Sequence, residues 1–206
     1  MRILITAGGT REYIDPVRFI SNASSGQMGY ELARAALKAG HKVTLITTVI
    51  RKSNFMDKSS IIKIDSAADM FDAVKKNFDN CDCLIMAAAV ADYTPAKKSK
   101  SKIKKNENEL TIQLKPTKDI LKWAGKYKNT KNKKRIVIGF ALEDKNLLQN
   151  AEKKLKEKKL DMIIANDVSA INSEKTTVHI KGALTDWQII ENSTKTSIAK
   201  AIIKLI

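Results

Sequence analysis

Two spacings of hydrophobic residues alternate along the chain. Short β-branched runs such as RILIT at residues 2–6 and KVTLIT at residues 42–47 are typical of buried strands, whereas the apolar positions of YELARAALKA at residues 30–39 recur at helical spacing. Further strands are predicted at residues 61–64, 82–88, 135–141 and 162–165, followed by a hairpin of residues 177–181 and 187–191 joined near Gly182. Further helices are predicted at residues 67–78 behind a Ser66 cap, 116–127, 144–159 and 193–206, the last capped by Asn192 or Ser193.

The order of these elements predicts an α/β fold. A strand, a helix and a parallel second strand form a right-handed βαβ unit, and its repetition gives a Rossmann-like, doubly wound, mainly parallel sheet within one domain of residues 1–206. A nicotinamide-binding member of this class would carry an acidic residue where this chain has Thr47 and Thr48, and would show GxGxxG spacing. The absence of both features argues against a dehydrogenase. An NAD(P)-binding protein is the second hypothesis for the function.

Composition narrows the class of protein. No run approaches the ~18 apolar residues that a transmembrane helix requires, and strand one follows Met1 directly, so neither a membrane span nor a signal peptide is expected. The net charge of +16 makes nucleic-acid binding a third hypothesis, but the lysines are spread out and no aromatic residues interleave with them. Cys81 and Cys83 lack zinc-site spacing, and we expect them on one face of a strand in a cytoplasmic protein.

The segment DPVRFISNASSGQMG at residues 15–29 is predicted to be a long loop between the first strand and the first helix. Strand-to-helix connections of this length are usually functional. Its small residues, Ser24 to Gly26, stand where a helix begins, so free backbone N–H groups there can bind a phosphate. The alternative interpretation is that Gly26 and Gly29 only let the helix pack closely on strand one.

A second candidate region follows the fourth predicted strand. The alanines of AAAVADY, residues 87–93, would let a flat ring or a sugar approach the carboxyl edge of the sheet. The lysine-rich residues 94–108 predict a lid, and the alternating residues 109–114 predict a strand that pairs with the other side of the lid. This projecting β arm, within residues 94–114, is predicted to support a homodimer.

Four segments in this order carry a family resemblance: ITAGGTREYIDPVRFISNASSGQMG, AAAVADY with a following KIKK, IGFALE, and KxxxKxLDMIIAND. Together they resemble phosphopantothenoylcysteine synthetase (phosphopantothenate–cysteine ligase), the second half of the bifunctional coenzyme A biosynthesis flavoprotein of bacteria, from residue 1 to about residue 190. The resemblance does not include the flavin-dependent decarboxylase half. It therefore implies a free-standing synthetase without flavin, for which a separate phosphopantothenoylcysteine decarboxylase is a candidate partner.

The resemblance implies a ligase reaction in two steps. The carboxylate of 4'-phosphopantothenate attacks the α-phosphate of a nucleoside triphosphate, CTP in most bacterial members and ATP in eukaryotic ones, and pyrophosphate leaves. The amine of L-cysteine then attacks the acyl nucleotidylate and releases the nucleoside monophosphate. Mg²⁺ would accompany the triphosphate, bound mostly by phosphate oxygens and water, so no dedicated metal ligands are expected. The AAAVADY and KIKK pattern looks bacterial, which favours CTP.

The resemblance also assigns roles to residues. Asn22 would grip the reacting carboxylate, Arg18 would bind an anionic group of the substrate, and Lys102 would reach the α-phosphate from the lid. Because the lid is richer in lysine than the family pattern, Lys100, Lys104 and Lys105 compete with Lys102 for this role. Nucleotide-binding positions are expected at Gly9, Ser24, Ser25, Gly26, Met28, Ala87, Ala88, Ala89, Asp92, Lys118, Asp119, Ile120, Leu121, Phe140, Lys154 and Lys158, with Ala89 also near the substrate.

Overall fold

The computed structural model describes residues 1–51, 60–105, 107, 109–130, 133–171 and 173–206. Its strands are β1 Arg2–Ala7, β2 Arg11–Tyr13, β3 Phe19–Ser21, β4 Lys42–Thr47, β5 Ser60–Lys63, β6 Cys83–Met86, β7 Tyr93–Pro95, β8 Leu114–Pro116, β9 Ile136–Glu143, β10 Met162–Asp167, β11 Lys175–Gly182 and β12 Gln188–Thr194. Its α-helices are α1 Gln27–Lys38, α2 Ala67–Phe78, α3 Ile120–Tyr127, α4 Leu147–Glu157 and α5 Lys195–Lys204.

Eight of the described strands form one mostly parallel sheet in the order β12-β11-β10-β9-β6-β1-β4-β5. Strands β1, β4, β5, β6, β9 and β10 are parallel, and β11 and β12 add an antiparallel hairpin at one edge. The six parallel strands have the 3-2-1-4-5-6 order of the Rossmann fold, whose chain changes direction between the first and fourth strands. The predicted doubly wound fold is confirmed, and β1 and β6 flank its switch point.

Helices cover both faces of the sheet, as the repeated right-handed crossovers require. Apolar residues of α1 and α5, such as Leu32 and Ile198, pack against the side chains of β1 and β6 that point to their face, such as Ile5 and Cys83. Helices α2, α3 and α4 pack against the opposite set, which includes Leu4, Leu84 and Val137. Strands buried on both faces explain the nearly continuous apolar runs of the sequence. Among the described residues, no helix is long and apolar enough to cross a bilayer.

Several local predictions agree with the structure. Ser66 caps α2 in a capping box with Asp69, and the terminal hairpin pairs as expected. Gly29 lies so close to β1 that a Cβ would come within 2.5 Å of the Ala7 Cβ. The interpretation that Gly29 permits close helix packing is therefore confirmed.

Other local predictions are wrong. The stretch before α1 is not one long loop, because β2 and β3 form an antiparallel hairpin within it. Residues 109–113 are not a strand, and the arm is instead a ribbon of β7 with β8, which lies beside β2. The cap of α5 is Thr194, whose hydroxyl accepts from the Ser197 N–H. Each error concerns either a pair of three-residue strands or a helix cap. Tertiary packing, rather than the local sequence pattern, decides these features.

The two cysteines do not share a face. Cys81 precedes β6 and packs in the layer of α2, whereas Cys83 packs in the layer of α1. The predicted alternation fails because Cys81 lies outside the strand, where its N–H and Sγ both bond to the Phe78 carbonyl. Burial raises the pKa of the Cys81 thiol to about 11, so it stays protonated at neutral pH.

Candidate active site

The carboxyl ends of β1 and β6 are joined beyond the strands themselves. Gly9 forms a parallel bridge with Ala89, and the Ala89 N–H donates to the Gly8 carbonyl at 2.9 Å. The Thr10 hydroxyl accepts from the Ala91 N–H at 2.9 Å. These bonds form a continuous floor at the switch point, where open α/β sheets bind their ligands.

The loop that carries Asn22 crosses this floor. A Cβ on Gly9 would come within 2.5 Å of the Asn22 carbonyl oxygen, so only glycine lets the loop lie this close. The Asn22 Nδ2 donates to the Val90 carbonyl at 3.2 Å, and the side chain is otherwise exposed. The structure therefore fixes the orientation of the Asn22 amide and leaves its second N–H and its Oδ1 directed away from this bond.

Helix α1 begins beside the same floor. Gly26 is its N-cap with φ of 74°, and a Cβ there would come within 3.1 Å of the Gly8 N. Ser24 and Ser25 precede it, and their hydroxyls accept from the N–H groups of Gly26 and Gln27, each at 3.4 Å. Gly26 thus serves close packing, and the first turn of α1, with Met28, keeps backbone N–H groups at the crevice.

A pocket of about 150 Å³ adjoins the floor on the β9 side. It is bounded by the end of β6, the segment leading into α3, strand β9 and the C-terminal end of α4. Nine of the predicted nucleotide-binding residues line it: Ala88, Asp92, Lys118, Asp119, Ile120, Leu121, Phe140, Lys154 and Lys158. Met86, Val90 and Thr117 complete the lining, and Thr117 was not predicted. Thr117 closes one wall, because its hydroxyl donates to the Ala91 carbonyl at 2.7 Å.

Three of the charged side chains of this pocket, those of Asp119, Lys154 and Lys158, are held in place. The Lys158 Nζ lies 2.9 Å from the Asp119 Oδ2, and Asp119 also caps α3 by accepting from the Lys122 N–H. The Lys154 Nζ donates to the Phe140 carbonyl at 2.8 Å. Burial, followed by the neighbouring Lys158 charge, lowers the pKa of Lys154. An anion entering the pocket would relieve the repulsion between these two ammonium groups.

Asp15, which sequence reasoning did not single out, is fully buried at the other side of the floor. Its carboxylate accepts from the backbone N–H groups of Val17, Arg18 and Ile103 and from the Arg18 guanidinium. Burial alone would raise its pKa, but these donors hold the pKa of the Asp15 carboxyl well below its usual range. The dipeptide formed by Asp15 and Pro16 signals a turn and could have indicated the turn bonds, although not the bond to Ile103.

Arg18 is partly committed to Asp15. Its Nε and Nη2 lie 2.9 and 2.6 Å from the Asp15 Oδ2, while 43% of its side chain is exposed. Lys102, in the segment of residues 94–108 that is predicted to be a lid, is exposed next to Ile103. The structure thus brings together two groups of predicted residues, one in the pocket and one around Asn22 and α1. Arg18 and Lys102 lie together at Ile103, and among the described residues no hydrogen bond or ion pair joins either side chain to the pocket or to Asn22.

A doubly wound sheet with a lysine-lined pocket at its switch point defines a Rossmann-like α/β protein suited to a phosphorylated ligand. The family model described as the DNA/pantothenate metabolism flavoprotein C-terminal domain matches residues 1–206. The chain belongs to this family, and the resemblance stated from the sequence is confirmed.

Individual relatives agree with this assignment. The chain is 46% identical over 168 residues to the coenzyme A biosynthesis bifunctional protein CoaBC of Bacillus subtilis, covering 82% of this chain and 40% of the relative. A crystal structure of the C-terminal domain of CoaBC matches with 37% identity and a TM-score of 0.81, covering 99% of this chain and 92% of that chain. The DNA/pantothenate metabolism flavoprotein of Streptococcus pneumoniae matches with 28% identity and a TM-score of 0.85, covering 100% and 97%. The chain spans between 40% and 57% of the curated relatives it matches first.

Proposed function

We propose that this protein is a phosphopantothenate–cysteine ligase of coenzyme A biosynthesis. It joins 4'-phosphopantothenate to L-cysteine through an acyl-cytidylate, using CTP and releasing CMP and pyrophosphate. The observation that carries the proposal is the convergence of nine motif residues in one pocket, immediately beside the floor that holds Asn22. Those residues come from four separate segments of the chain, so their meeting is not a consequence of sequence proximity.

The pocket and the floor suit the two halves of the reaction. The pocket would bind the nucleotide, with Lys154 and Lys158 opposing the charge of its phosphates. The Asn22 amide, oriented by the Val90 carbonyl, would hold the reacting carboxylate and then the acyl oxygen. Arg18 would bind an anionic group of the substrate, and Lys102 would approach the α-phosphate from the lid. This arrangement puts the attacking carboxylate and the α-phosphate at the boundary between the two regions.

The side chains of the pocket also fit a magnesium ion that arrives with the triphosphate. The pocket contains lysines together with Asp92, whose carboxylate has no hydrogen-bond partner among the described residues. Such an ion would be bound mostly by phosphate oxygens and water, with Asp92 as a candidate ligand. It would neutralise negative charge on the phosphates.

A coupled assay tests the proposal. Purified protein is incubated with 4'-phosphopantothenate, magnesium and each nucleoside triphosphate in turn, and pyrophosphate release is measured before and after L-cysteine is added. We expect pyrophosphate with CTP, and phosphopantothenoylcysteine by mass spectrometry once cysteine is present. Equal rates of pyrophosphate release with ATP and with CTP would contradict only the preference for CTP and not the ligase activity. Absence of product with all four nucleotides would refute the ligase activity.

We further propose a homodimer formed through the ribbon of β7 and β8. Exposed apolar side chains occur there and on the neighbouring hairpin, since Tyr93 and Leu114 of the ribbon are 56% and 45% exposed and Phe19 of the hairpin is 42% exposed. A two-stranded ribbon is marginal alone and is stabilised when its apolar residues are covered. Light scattering at micromolar concentration should give twice the chain mass of 22.9 kDa, and Leu114→Ser in β8 should shift the protein toward the monomer. A monomeric mass for the wild type would remove this role of the ribbon.

A further inference from the structure

Asp15 and Arg18 together hold the backbone of one lid residue. The Asp15 Oδ2, which bonds to the Arg18 Nε and Nη2, also accepts from the Ile103 N–H at 3.1 Å. The Arg18 Nη2 in turn donates to the Ile103 carbonyl at 2.5 Å. Both backbone polar groups of Ile103 are therefore bound by one ion pair. We name this arrangement of Asp15, Arg18 and Ile103 the lid clasp.

The two oxygens of Asp15 have separate partners. The Oδ1 accepts from the backbone N–H groups of Val17 and Arg18, each at 2.8 Å, and so closes the turn that follows Asp15. The Oδ2 has only the clasp partners among the described residues. A substitution that keeps one oxygen and alters the other can thus separate the turn from the clasp.

The clasp lies between two residues that the proposed function uses. Ile103 directly follows Lys102, so fixing its backbone limits where the Lys102 side chain can begin. The bonds from Arg18 to Asp15 and Ile103 occupy its Nε and Nη2, and its Nη1 has no acceptor among the described residues. The Nη1 edge therefore remains available to an anion.

We propose that Asp15 is a positioning residue that acts through Arg18 and Ile103 to place the Arg18 guanidinium and Lys102 over the site. This inference rests on the proposed ligase function. Asp15 contacts no substrate, because its side chain is fully buried. A second lid contact supports the arrangement, since the Ser99 N–H donates to the Ile14 carbonyl at 2.9 Å, next to Asp15.

The test is Asp15→Asn, which keeps an acceptor at the Oδ1 position. At the Oδ2 position the amide would present N–H groups to three N–H donors, so the clasp should open while the turn remains. We expect kcat to fall by about 10- to 100-fold, the range of a small misplacement of reacting groups. The KM for the nucleotide should stay at the wild-type value, because the pocket around Phe140 and Lys158 is not altered.

Hydrogen exchange provides a readout that does not depend on activity. In Asp15→Asn the amides of residues 99–103 should exchange faster than in the wild type, while those of α2 should not change. Asp82→Asn is the matched control, because Asp82 also accepts a backbone N–H, at 2.7 Å from Arg2, and pairs with Arg2 and Lys133. It lies at the opposite end of the sheet and should change neither kcat nor lid exchange.

Three outcomes would overturn the inference. Wild-type kcat in Asp15→Asn would show that the clasp does not position the site. A loss of kcat without faster lid exchange would show that Asp15 acts by another route. Equal losses in Asp82→Asn would show a general loss of stability. If the wild type makes no product with any nucleotide, the proposed function fails, whereas the exchange comparison still decides whether the clasp exists.

Discussion

Two buried charged side chains lie at opposite ends of the sheet, and they differ in the hydrogen-bond partners that they bind. Asp15, at the carboxyl end, is fully buried and collects N–H donors, while Arg135, at the amino end, is 1% exposed and donates to carbonyl oxygens. The Arg135 guanidinium bonds to the Phe78, Lys128, Thr130, Lys133 and Asp79 carbonyls and lies 5.2 Å from the Phe78 ring centroid.

The comparison separates structural from functional use of a buried charge. Arg135 sits where α2 and α3 end, so its cation opposes the negative ends of both helix dipoles. Its partners include none of the proposed site residues. Asp15 instead joins a loop and a lid that carry Arg18 and Lys102. In this protein the buried charge at the carboxyl end is the one that we propose to serve the site, whereas the one at the amino end is expected to stabilise the fold.

Removing the amino-end charge should have the largest effect. Arg135→Met leaves several buried carbonyls without a donor, and we expect the free energy of unfolding in urea to fall by about 3 kcal/mol. The kcat of the folded fraction should not change. Arg2→Met is the control: Arg2 pairs with Asp82 but its side chain is 54% exposed, so its loss should cost about 0.5 kcal/mol or less. A change in kcat with Arg135→Met would break the distinction between the two ends.

Lys102→Gln should have the opposite profile. The exposed ammonium contributes little to stability, but we expect turnover to fall by about 100-fold, because one preorganised electrostatic contact to the α-phosphate is lost. Steady-state kinetics and urea unfolding would check both statements. Lys100→Gln and Lys104→Gln are matched controls and should each cost far less. Equal losses in all three variants would mean that the lid supplies diffuse charge rather than one positioned cation.

Lowering the pH should produce the smallest of these effects on stability. Hydrogen bonds from Lys133 and the Arg2 backbone hold the pKa of Asp82 well below its usual range. The unfolded chain then binds the proton more readily than the folded one, so stability is present above pH ~4 and is lost as the pH falls further. Asp82→Asn should therefore show a shallower loss of melting temperature below pH ~4 than the wild type. An unchanged slope would contradict this assignment of the pKa shift.

Local sequence patterns predicted the parts of the molecule that local forces decide. The strands of the sheet, the Ser66 cap and the terminal hairpin follow from periodicity and capping, and the pocket residues were expected from the family resemblance. These signals are readable because each one lies within a few consecutive residues.

The lid clasp and the Arg135 cluster could not be predicted in the same way. Asp15 accepts from the Ile103 N–H, which is 88 residues away in the sequence. Every residue except proline has such a backbone N–H, so the sequence does not indicate which one Asp15 binds. Arg135 was predicted only as the first residue of a strand, and its acceptors are carbonyls that carry no sequence signal. The β2–β3 hairpin has only three residues in each strand, too few for a periodic pattern.

The floor at the switch point also constrains when the site can appear during folding. The pairing of β1 with β6 aligns Ile3 with Cys83 and Thr6 with Met86, across about 80 residues of chain. Such distant pairings close late, because the entropy of a long loop must be overcome first. The crevice cannot exist until most of the sheet has assembled. A nucleotide that needs this crevice would therefore slow unfolding without accelerating folding.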